Sequence, residues 1–366
     1  MKQKEGNHGY MKSENILILP GDGVGPEIMK EAIKIIDTLN TSKICKIEYE
    51  SADIGGVAID NHNTPLPDNT LQKAKASSSI LLGAVGTKKH ESNLNEMKPE
   101  TGLLKIRKNL DLFINIRPVF LFDALLESSS LKKDYVSGLD IVIIRELVSD
   151  IYFGEPRGFS DDNASAFNTM RYTKEEIERI ATFAFELSQK RSSNLTSVDK
   201  ANVLETSQLW RKVVSDIGEK YKSVKLNHMY VDNAAMQLVR SPKQFDVLLT
   251  GNIFGDILSD EASMLTGSIG MLPSASLSSK YGMYEPIHGS APDIAGDNTV
   301  NPIAMILSVA MMFEYTFQNK NISSIIRNSI NDVLNEGAFT KDLSPNDYIS
   351  TSDMGNKIVN QIKKNV

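Results

Sequence analysis

The chain has 366 residues, of which 41% are hydrophobic and 23% are charged, and its formal net charge at pH 7 is −6. This length predicts about two domains, and the composition excludes a disordered or fibrous protein. No apolar run reaches the roughly 18 residues of a membrane span, and the acidic balance without a basic run argues against nucleic acid or an anionic membrane as a partner.

The N-terminus and the cysteine count bear on the cellular compartment. Residues 1–10 carry charges but no apolar segment, so we expect a loose extension rather than a secretory signal. Cys45 is the single cysteine, which excludes an intramolecular disulfide framework, and the five histidines show no zinc-binding spacing. These features predict a cytoplasmic protein.

Strand and helix signals alternate along most of the chain. Residues 15–39 are typical of a buried strand, a glycine turn and a helix that opens at Pro26. This alternation predicts an α/β protein whose sheet has substantial parallel character and is covered by helices. Further strand-like runs occupy residues 78–86, 138–146, 194–203, 225–233 and 244–252, and helical stretches occupy residues 173–191 and 207–221.

Three segments depart from this alternation. The turn "GDGVGPE" has glycines at 21, 23 and 25, which do not match G-x-G-x-x-G, so we expect a compact turn and a cofactor held elsewhere. Residues 147–173 are rich in polar, aromatic and turn-forming residues and are interpreted as a protruding arm. From Met283 onward, a loop with glycine and proline precedes a buried helix and two further helical patterns.

Two aspartates, Asp256 and Asp260, lie four residues apart in a helical pattern, so their carboxylates point about 40° apart around the helix axis. No lysine or arginine lies between Gly251 and Gly270 to neutralise them. Taken alone, such a pair is more often a solvated acidic helix face, and the alternative is a site for a hard divalent cation, Mg²⁺ or Mn²⁺. Asp232, at the end of a predicted strand, offers a third carboxylate.

Basic and aromatic residues offer further chemistry. Lys200 follows another predicted strand, where burial can lower the pKa of a lysine and make it a base. Tyr152, in the predicted arm, is a candidate proton donor. Guanidinium groups suit carboxylates, and each arginine of a scattered set follows an apolar stretch from which it can turn inward. This set consists of Arg107, Arg117 and Arg145.

In combination, these segments resemble the β-decarboxylating dehydrogenase family. The resemblance implies a two-domain α/β fold that is not of the Rossmann type, with residues 1–112 and 267–366 in the first domain and residues 113–266 in the second. It also implies a homodimer with shared active sites, in which the arm takes part in dimerisation. The matching stretches are "LPGDGVGPEI", "ETGLLKIRKNLDLFINIRPV", "IYFGEPRG", "VDKANVLE", "YVDNAAMQLV", "GNIFGDILSDEAS", "LPSASL" and "EPIHGSAPDIAG".

The resemblance also implies roles for individual residues. Asp256 and Asp260, with the partner subunit's Asp232, would bind Mg²⁺ or Mn²⁺. The three arginines would hold the malate carboxylates, the partner subunit's Lys200 would be the base, and Tyr152 the proton donor. NAD would be favoured over NADP, because a carboxylate at Asp293 repels a 2′-phosphate. The implied cofactor contacts are Glu100, Asn202, His288, Gly289, Ser290, Ala291, Pro292, Asp293 and Asn301.

The substrate expected from this resemblance is 3-isopropylmalate. Leu103 and Leu104 offer an apolar wall for its isopropyl group, although both leucines can also pack inside their own domain. Tartrate, D-malate, homoisocitrate and isocitrate remain alternative substrates, and a catalytically silent subunit or a metal-dependent hydrolase remains an alternative function. One departure lies in the arm, where the family's usual Thr-Gly-Gly is replaced by Val148, Ser149 and Asp150.

Overall fold

The computed structural model of the chain describes residues 13–366. The extension expected for residues 1–10 lies outside the described residues. Within the described range, no helix combines the length and apolar character that crossing a membrane requires.

Each of the predicted strand-like runs contains a strand, whereas the strands at residues 47–51, 114–120, 158–159, 166–167, 273–277 and 282–286 were not predicted. The described residues contain twelve strands in all. They are β1 (Glu14–Gly21), β2 (Ile47–Ser51), β3 (Ser79–Ala84), β4 (Ile114–Phe120), β5 (Asp140–Glu146), β6 (Gly158–Phe159), β7 (Ala166–Phe167), β8 (Asn194–Asp199), β9 (Lys225–Tyr230), β10 (Val247–Thr250), β11 (Pro273–Leu277) and β12 (Gly282–Pro286).

Helices separate most of these strands, as the alternation predicts. They are α1 (Gly25–Thr41), α2 (Gly56–His62), α3 (Asp68–Ala76), α4 (Pro99–Asn109), α5 (Lys133–Val136), α6 (Lys174–Gln189), α7 (Glu205–Gly218), α8 (Val231–Arg240), α9 (Asn252–Ser263), α10 (Ile303–Tyr315), α11 (Lys320–Asn335) and α12 (Thr351–Asn365).

Ten of the strands within residues 13–366 form one mixed sheet in the order β2-β1-β3-β12-β11-β4-β5-β10-β8-β9. Both wings are parallel, since β1 pairs in parallel with β2 and β3, and β8 pairs in parallel with β9 and β10. The centre is antiparallel, because β11 pairs antiparallel with β12 and β4, and β4 with β5. The predicted parallel character is confirmed on the wings, whereas the antiparallel centre was not predicted.

The strand order separates the chain into two groups. One half of the sheet comes from β1–β3 together with β11 and β12, and the other half comes from β4, β5 and β8–β10. The two halves meet at the pairing of β11 with β4, where Ala275 lies opposite Ile116. This order supports the domain division at residues 112 and 267, which stays a prediction.

Helix α10 lies in the core of the first half. Its residues from Ile303 to Phe313 are buried all around the helix, and it contacts α1, α11, β11 and β12. A helix that is apolar on every side is stable only when neighbouring elements cover all of it. The buried helix predicted after the glycine- and proline-rich loop is therefore confirmed.

The glycine turn between β1 and α1 is compact, as expected. Gly21 and Gly23 have φ values of +71° and +55°, which glycine adopts without the strain that a side chain brings. A Cβ atom on Gly23 would lie 2.0 Å from the carbonyl oxygen of Ser290, which accepts a hydrogen bond of 2.8 Å from the N–H of Val24. The turn thus supports the loop that follows β12.

The predicted arm contains a small β-hairpin. Strands β6 and β7 pair antiparallel, with Gly158 opposite Phe167 and Phe159 opposite Ala166. The side chains of Phe159 and Phe167 are 65% and 50% exposed. Two exposed aromatic rings on one hairpin are typical of a surface that another protein chain covers.

Candidate active site

The two aspartates of the predicted pair lie one turn apart on α9. This helix begins directly after β10, and its apolar residues Leu258 and Ala262 are buried against the sheet. The side chain of Asp256 is 33% exposed, and that of Asp260 is 61% exposed. Helical spacing therefore brings both carboxylates to the same side of α9, as predicted.

Arginines from the antiparallel centre of the sheet compensate this acidic pair. Arg145, on β5, places Nη1 2.5 Å from Oδ1 of Asp256. Arg117, on the adjacent β4, approaches Asp256 to 3.5 Å and Asp260 to 3.7 Å. No basic residue lies in the same helix as the aspartate pair. The two compensating positive charges come instead from the buried guanidinium groups of Arg117 and Arg145, which are distant in sequence.

Uncharged side chains orient the two guanidinium groups. Asn252, the first residue of α9, accepts hydrogen bonds of 3.0 and 2.7 Å from Nε and Nη2 of Arg145. Arg117 donates from Nε to Asn115 at 2.7 Å and from Nη1 to Ser259 at 2.6 Å. The roles of Asn115, Asn252 and Ser259 were not predicted from the sequence. The signal available for Asn115 was a polar residue inside an otherwise apolar strand.

The third arginine, Arg107 on α4, is also buried. Its Nη2 lies 2.7 Å from a carboxylate oxygen of Glu285 on β12, a residue that the sequence analysis did not single out. Among the described residues, the Nε atom of Arg107 has no hydrogen-bond partner. A buried guanidinium donor without a partner is costly, so this atom is available to a ligand.

Tyr152 joins the same cluster from the arm. Its hydroxyl donates a hydrogen bond of 2.7 Å to Oδ2 of Asp256, and the guanidinium carbon of Arg145 lies 5.7 Å from the centre of its ring. Burial and this hydrogen bond raise the pKa of Tyr152 to about 12. Tyr152 is therefore protonated at neutral pH, as a proton donor must be.

Opposing effects act on the carboxyl group of Asp256. Burial alone would raise its pKa, but the positive charges of Arg145 and Arg117 outweigh burial and lower it. The desolvation of Arg145, together with the like charge of Arg117, lowers the pKa of Arg145 to about 9. Asp256 is therefore ionised over the physiological range and able to act as an oxygen ligand.

Lys200 and Asp232 form a separate pair. Lys200 follows β8 and Asp232 lies in the first turn of α8, directly after the neighbouring strand β9, and Nζ of Lys200 is 2.9 Å from Oδ1 of Asp232. Neither residue has a hydrogen bond or ion pair to Asp256 or Asp260 within residues 13–366. The described part of the chain contains no group of three or more potential metal ligands.

Part of the predicted cofactor set lines one groove of about 620 Å³ between the loop after β3 and the loop after β12. Lys88, which lines this groove, forms an ion pair with the predicted cofactor residue Asp293, which itself does not line the groove. Gly86, at the base of the groove, donates a hydrogen bond of 2.9 Å to the buried carboxylate of Asp22. The predicted residues that line the groove are Glu100, Gly289, Ser290 and Pro292.

The remaining predicted cofactor residues have varied surroundings. Ala291 is exposed in the same loop, and the Nε2 atom of His288 is buried without a hydrogen-bond partner among the described residues. Asn301 is buried and donates to Asp342 at 3.0 Å, so its side chain is held inside the protein. Asn202 is exposed near Lys200 and does not line the groove. One chain therefore brings only part of the predicted set together.

The two leucines predicted to recognise the substrate are half-buried on α4. Leu103 packs against the core cluster of β1 and β3, which agrees with the alternative of packing in its own domain. Leu104 is adjacent in sequence and thus about 100° away around the helix, so the two side chains face different directions. Of the two, Leu104 is the better candidate for contact with a ligand.

Comparisons with known proteins give a consistent result. The sequence profile of the isocitrate/isopropylmalate dehydrogenase family matches residues 15–358. The chain is 51% identical to the 3-isopropylmalate dehydrogenase of Prochlorococcus marinus, over 96% of this chain and 100% of that protein. It is 50% identical to the protein of the same name from Aquifex aeolicus, over 97% of this chain and 98% of that protein.

Solved structures show the same relationship. The isocitrate dehydrogenase of Methylococcus capsulatus superimposes with a TM-score of 0.87 at 30% identity, over 96% of this chain and 99% of that chain. A β-decarboxylating dehydrogenase from Thermococcus kodakarensis, solved in its apo form, superimposes with a TM-score of 0.79 at 31% identity, over 96% of both chains.

Proposed function

Because the chain belongs to the isocitrate/isopropylmalate dehydrogenase family, we propose that it catalyses the NAD-dependent oxidative decarboxylation of (2R,3S)-3-isopropylmalate. The products are 4-methyl-2-oxopentanoate and CO₂, and the reaction is a step of leucine biosynthesis. The observation that carries this proposal is a set of three buried arginines, two of them in contact with an aspartate pair on one helix.

The charges of the cluster favour this substrate with a divalent cation. Three guanidinium groups face three carboxylates, those of Asp256, Asp260 and Glu285. The formal charges of the site therefore sum to zero without a ligand, and they still sum to zero when a dicarboxylate and a divalent cation bind together. Either one alone would leave an uncompensated charge in a partly buried site, which is unfavourable.

The residues present suit the expected cofactors. Carboxylate oxygens of Asp256 and Asp260 are the hard ligands that Mg²⁺ and Mn²⁺ prefer, and the partner subunit's Asp232 would complete the set. NAD would lie along the groove after β3, with its adenosine ribose at Asp293. When bound, the metal stabilises negative charge on the substrate oxygens and NAD accepts the hydride.

The protein's own side chains bind the substrate and move its protons. Arg107, Arg117 and Arg145 hold the two carboxylates by charge-assisted hydrogen bonds. The partner subunit's Lys200 accepts the proton of the C2 hydroxyl. Oxidation at C2 produces a ketone β to a carboxylate, CO₂ leaves, and Tyr152 donates its proton to C3. A tyrosine with a raised pKa keeps that proton until loss of CO₂ has left an enolate, which is basic at C3.

We further propose a homodimer, since the site of one chain is incomplete. Lys200 and Asp232 lie apart from the α9 cluster, and Asp232 begins α8. Helices α8 and α9 pack side by side, and large apolar side chains on them and directly after α9 are exposed and together form the helix face. A second copy of the chain would cover this face and supply the missing pair. The helix face consists of Met236, Val239, Ile257 and Met264.

The test of the proposed reaction is NADH formation by the purified protein with 3-isopropylmalate, with and without EDTA. We expect turnover that EDTA abolishes and that Mg²⁺ or Mn²⁺ restores. Parallel assays with D-malate, tartrate, homoisocitrate and isocitrate separate the alternatives within the family. A clearly higher kcat/KM for one of these acids would contradict the assignment, and no metal-dependent NADH formation with any of them would favour the silent-subunit alternative.

A further inference from the structure

Asp150 lies in an unusual environment in the arm. It is 2% exposed and begins the short turn that carries Tyr152. Its φ is +73°, in the left-handed region that glycine adopts most easily and in which an aspartate side chain is strained. At this position the family usually has the second glycine of Thr-Gly-Gly. Burial of the carboxylate and the strained φ both destabilise the folded state, so an aspartate in place of glycine is stable here only if another interaction offsets them.

The carboxylate of Asp150 makes that interaction with two backbone groups. Oδ1 accepts a hydrogen bond of 2.7 Å from the N–H of Ile151, and Oδ2 accepts one of 3.1 Å from the N–H of Ile253. Ile151 belongs to the turn of Tyr152, whereas Ile253 belongs to the first turn of α9. One side chain therefore connects the arm to the helix that carries the aspartate pair.

Helix α9 lacks a cap of its own. Its N-cap residue is Gly251, and no side chain at that position accepts a hydrogen bond from the first N–H groups of the helix. Two distant oxygens satisfy these groups instead, because Tyr172 accepts a hydrogen bond of 2.8 Å from the N–H of Asn252, and Asp150 accepts the next one. An acid at a helix N-terminus also interacts favourably with the helix dipole.

The first residue of α9, Asn252, also orients Arg145, one of the arginines proposed to bind the substrate. Asn252 donates through its side chain to the carbonyl oxygen of Ser149, the residue before Asp150, at 3.1 Å. The same Asn252 accepts both hydrogen bonds from Arg145 described above. The beginning of α9 is thus held by the residues around position 150, and that contact orients both Arg145 and Asp256.

From these contacts we infer that Asp150 is a positioning residue that fixes α9, and with it the carboxylates of Asp256 and Asp260, relative to Tyr152. The inference rests on the proposed function in one respect, namely that these carboxylates bind the metal. Asp150 itself contacts neither Asp256 nor Tyr152 by a hydrogen bond among the described residues. It acts through the backbone of two elements.

The experiment compares two variants of the full-length protein. Asp150→Gly removes the carboxylate and relieves the strained φ, whereas Asp150→Asn tolerates the same φ and keeps only one acceptor oxygen. Binding of Mn²⁺ in the presence of 3-isopropylmalate is measured from the EPR signal of free Mn²⁺, and binding of NADH from its fluorescence. Hydrogen exchange of the first turn of α9 is followed in the protein without ligands.

We expect the Kd of Mn²⁺ to rise about tenfold in Asp150→Gly and about threefold in Asp150→Asn, with that of NADH unchanged, since a hydrogen bond to a charged acceptor is lost. Exchange at Ile253 should be faster in both variants. The matched control is Ser350→Ala, which removes the cap of α12 far from the site and should lower thermal stability without changing Mn²⁺ binding.

The outcomes separate this inference from the proposed function. If wild type binds no Mn²⁺ with the substrate present, the proposed function fails, while the exchange data still test the anchoring of α9. If both variants bind Mn²⁺ like wild type and exchange at Ile253 is unchanged, Asp150 has no positioning role. If Asp150→Gly does not fold, Mn²⁺ binding and hydrogen exchange of Asp150→Asn alone are compared with those of wild type.

Discussion

At the scale of single residues, Asp256 is the group on which the site converges. It accepts a hydrogen bond from Tyr152, pairs with Arg145 and lies near Arg117, so one carboxylate links the proposed proton donor to two of the arginines proposed to bind the substrate. A third of the Asp256 side chain is exposed, so its carboxylate can accept a further ligand from the solvent side. In the proposed function, the position of this carboxylate affects both metal binding and proton transfer.

Replacing Tyr152 with phenylalanine tests the proposed proton donor. Tyr152→Phe keeps the ring over Arg145 but removes the hydroxyl, so we expect kcat to fall by about 10²- to 10⁴-fold, the usual range for a lost general acid. The KM for 3-isopropylmalate should change little. Steady-state kinetics check this, with the same exchange at the exposed Tyr135 as the control. A normal kcat in Tyr152→Phe would exclude the assigned role.

Glu146 makes folding stability depend on pH. It is fully buried at the end of β5, and burial raises its pKa from 4.5 to about 7, despite hydrogen bonds from the N–H groups of Val148 and Ser149. The other polar groups that face it or act on it are the Tyr172 hydroxyl, Arg179 and Glu176, and the Tyr172 hydroxyl is also within hydrogen-bond distance of Asp150. Between these two pKa values, Glu146 of the folded protein therefore retains a proton that the same residue has lost in the unfolded chain.

The sign of the effect follows from this difference. Since the folded pKa is the higher one, the stabilisation by Glu146 is complete below about pH 4.5 and is lost as the pH rises through about 7. Relative to Glu146→Gln, we expect the unfolding free energy of wild type to decrease by roughly 2–3 kcal/mol between about pH 5 and about pH 8. Urea unfolding of both proteins in EDTA measures this. If the unfolding free energies of wild type and Glu146→Gln changed in parallel with pH, this prediction would be contradicted.

At the scale of elements, α9 has two functional sides. One side carries Asp256 and Asp260, and another carries Ile257, which is 60% exposed and is followed, directly after the helix, by the 49% exposed Met264. An exposed isoleucine between two aspartates is explained when a second chain covers it. The same short helix would then serve both the metal site and the proposed dimer.

A charge on the helix face tests this arrangement. Ile257→Lys should dissociate the dimer and reduce activity at least tenfold, because burying an unpaired charge at an interface costs several kcal/mol. Leu94→Lys is the control, since Leu94 is 83% exposed in a different half of the protein. Light scattering coupled to size-exclusion chromatography reports the mass. A dimeric, fully active Ile257→Lys protein would exclude the helix face as the interface.

Local features could be predicted from the sequence, and distant contacts could not. The strand, turn and helix at residues 14–41 follow from hydrophobic spacing and from Gly21 and Gly23. By contrast, Arg145 meets Asp256 across 111 positions, and a window of sequence around α9 contains no sign of that cation. The antiparallel centre also depends on long-range pairing, here of β11 with β4, which no local pattern specifies.

At the scale of the whole molecule, the proposed active site needs two chains. The α9 cluster lies in one protomer, and the required Lys200 and Asp232 would come from the other, because within one chain they form a separate pair. An isologous dimer has two such sites related by its two-fold axis. Each site then draws on different residues of the two protomers.

Mixing two inactive variants tests this sharing. Lys200→Met and Asp260→Asn should each be inactive alone, because every site lacks either the base or a metal ligand. After unfolding and refolding together, half of the dimers are mixed and each has one intact site, so we expect about a quarter of wild-type activity. Refolding each variant separately is the control. No recovered activity in the mixture would mean that each protomer uses its own Lys200.

The place of β11 and β12 in the sheet has a consequence for biosynthesis. These two strands lie between β3 and β4, yet they are translated after all the other strands of the sheet. Until they leave the ribosome, the nascent chain carries two separate sheet fragments with unpaired edges at β3 and β4. Unpaired edges pair with other strands, so we expect this interval to be the one in which the newly made chain is most prone to non-native pairing.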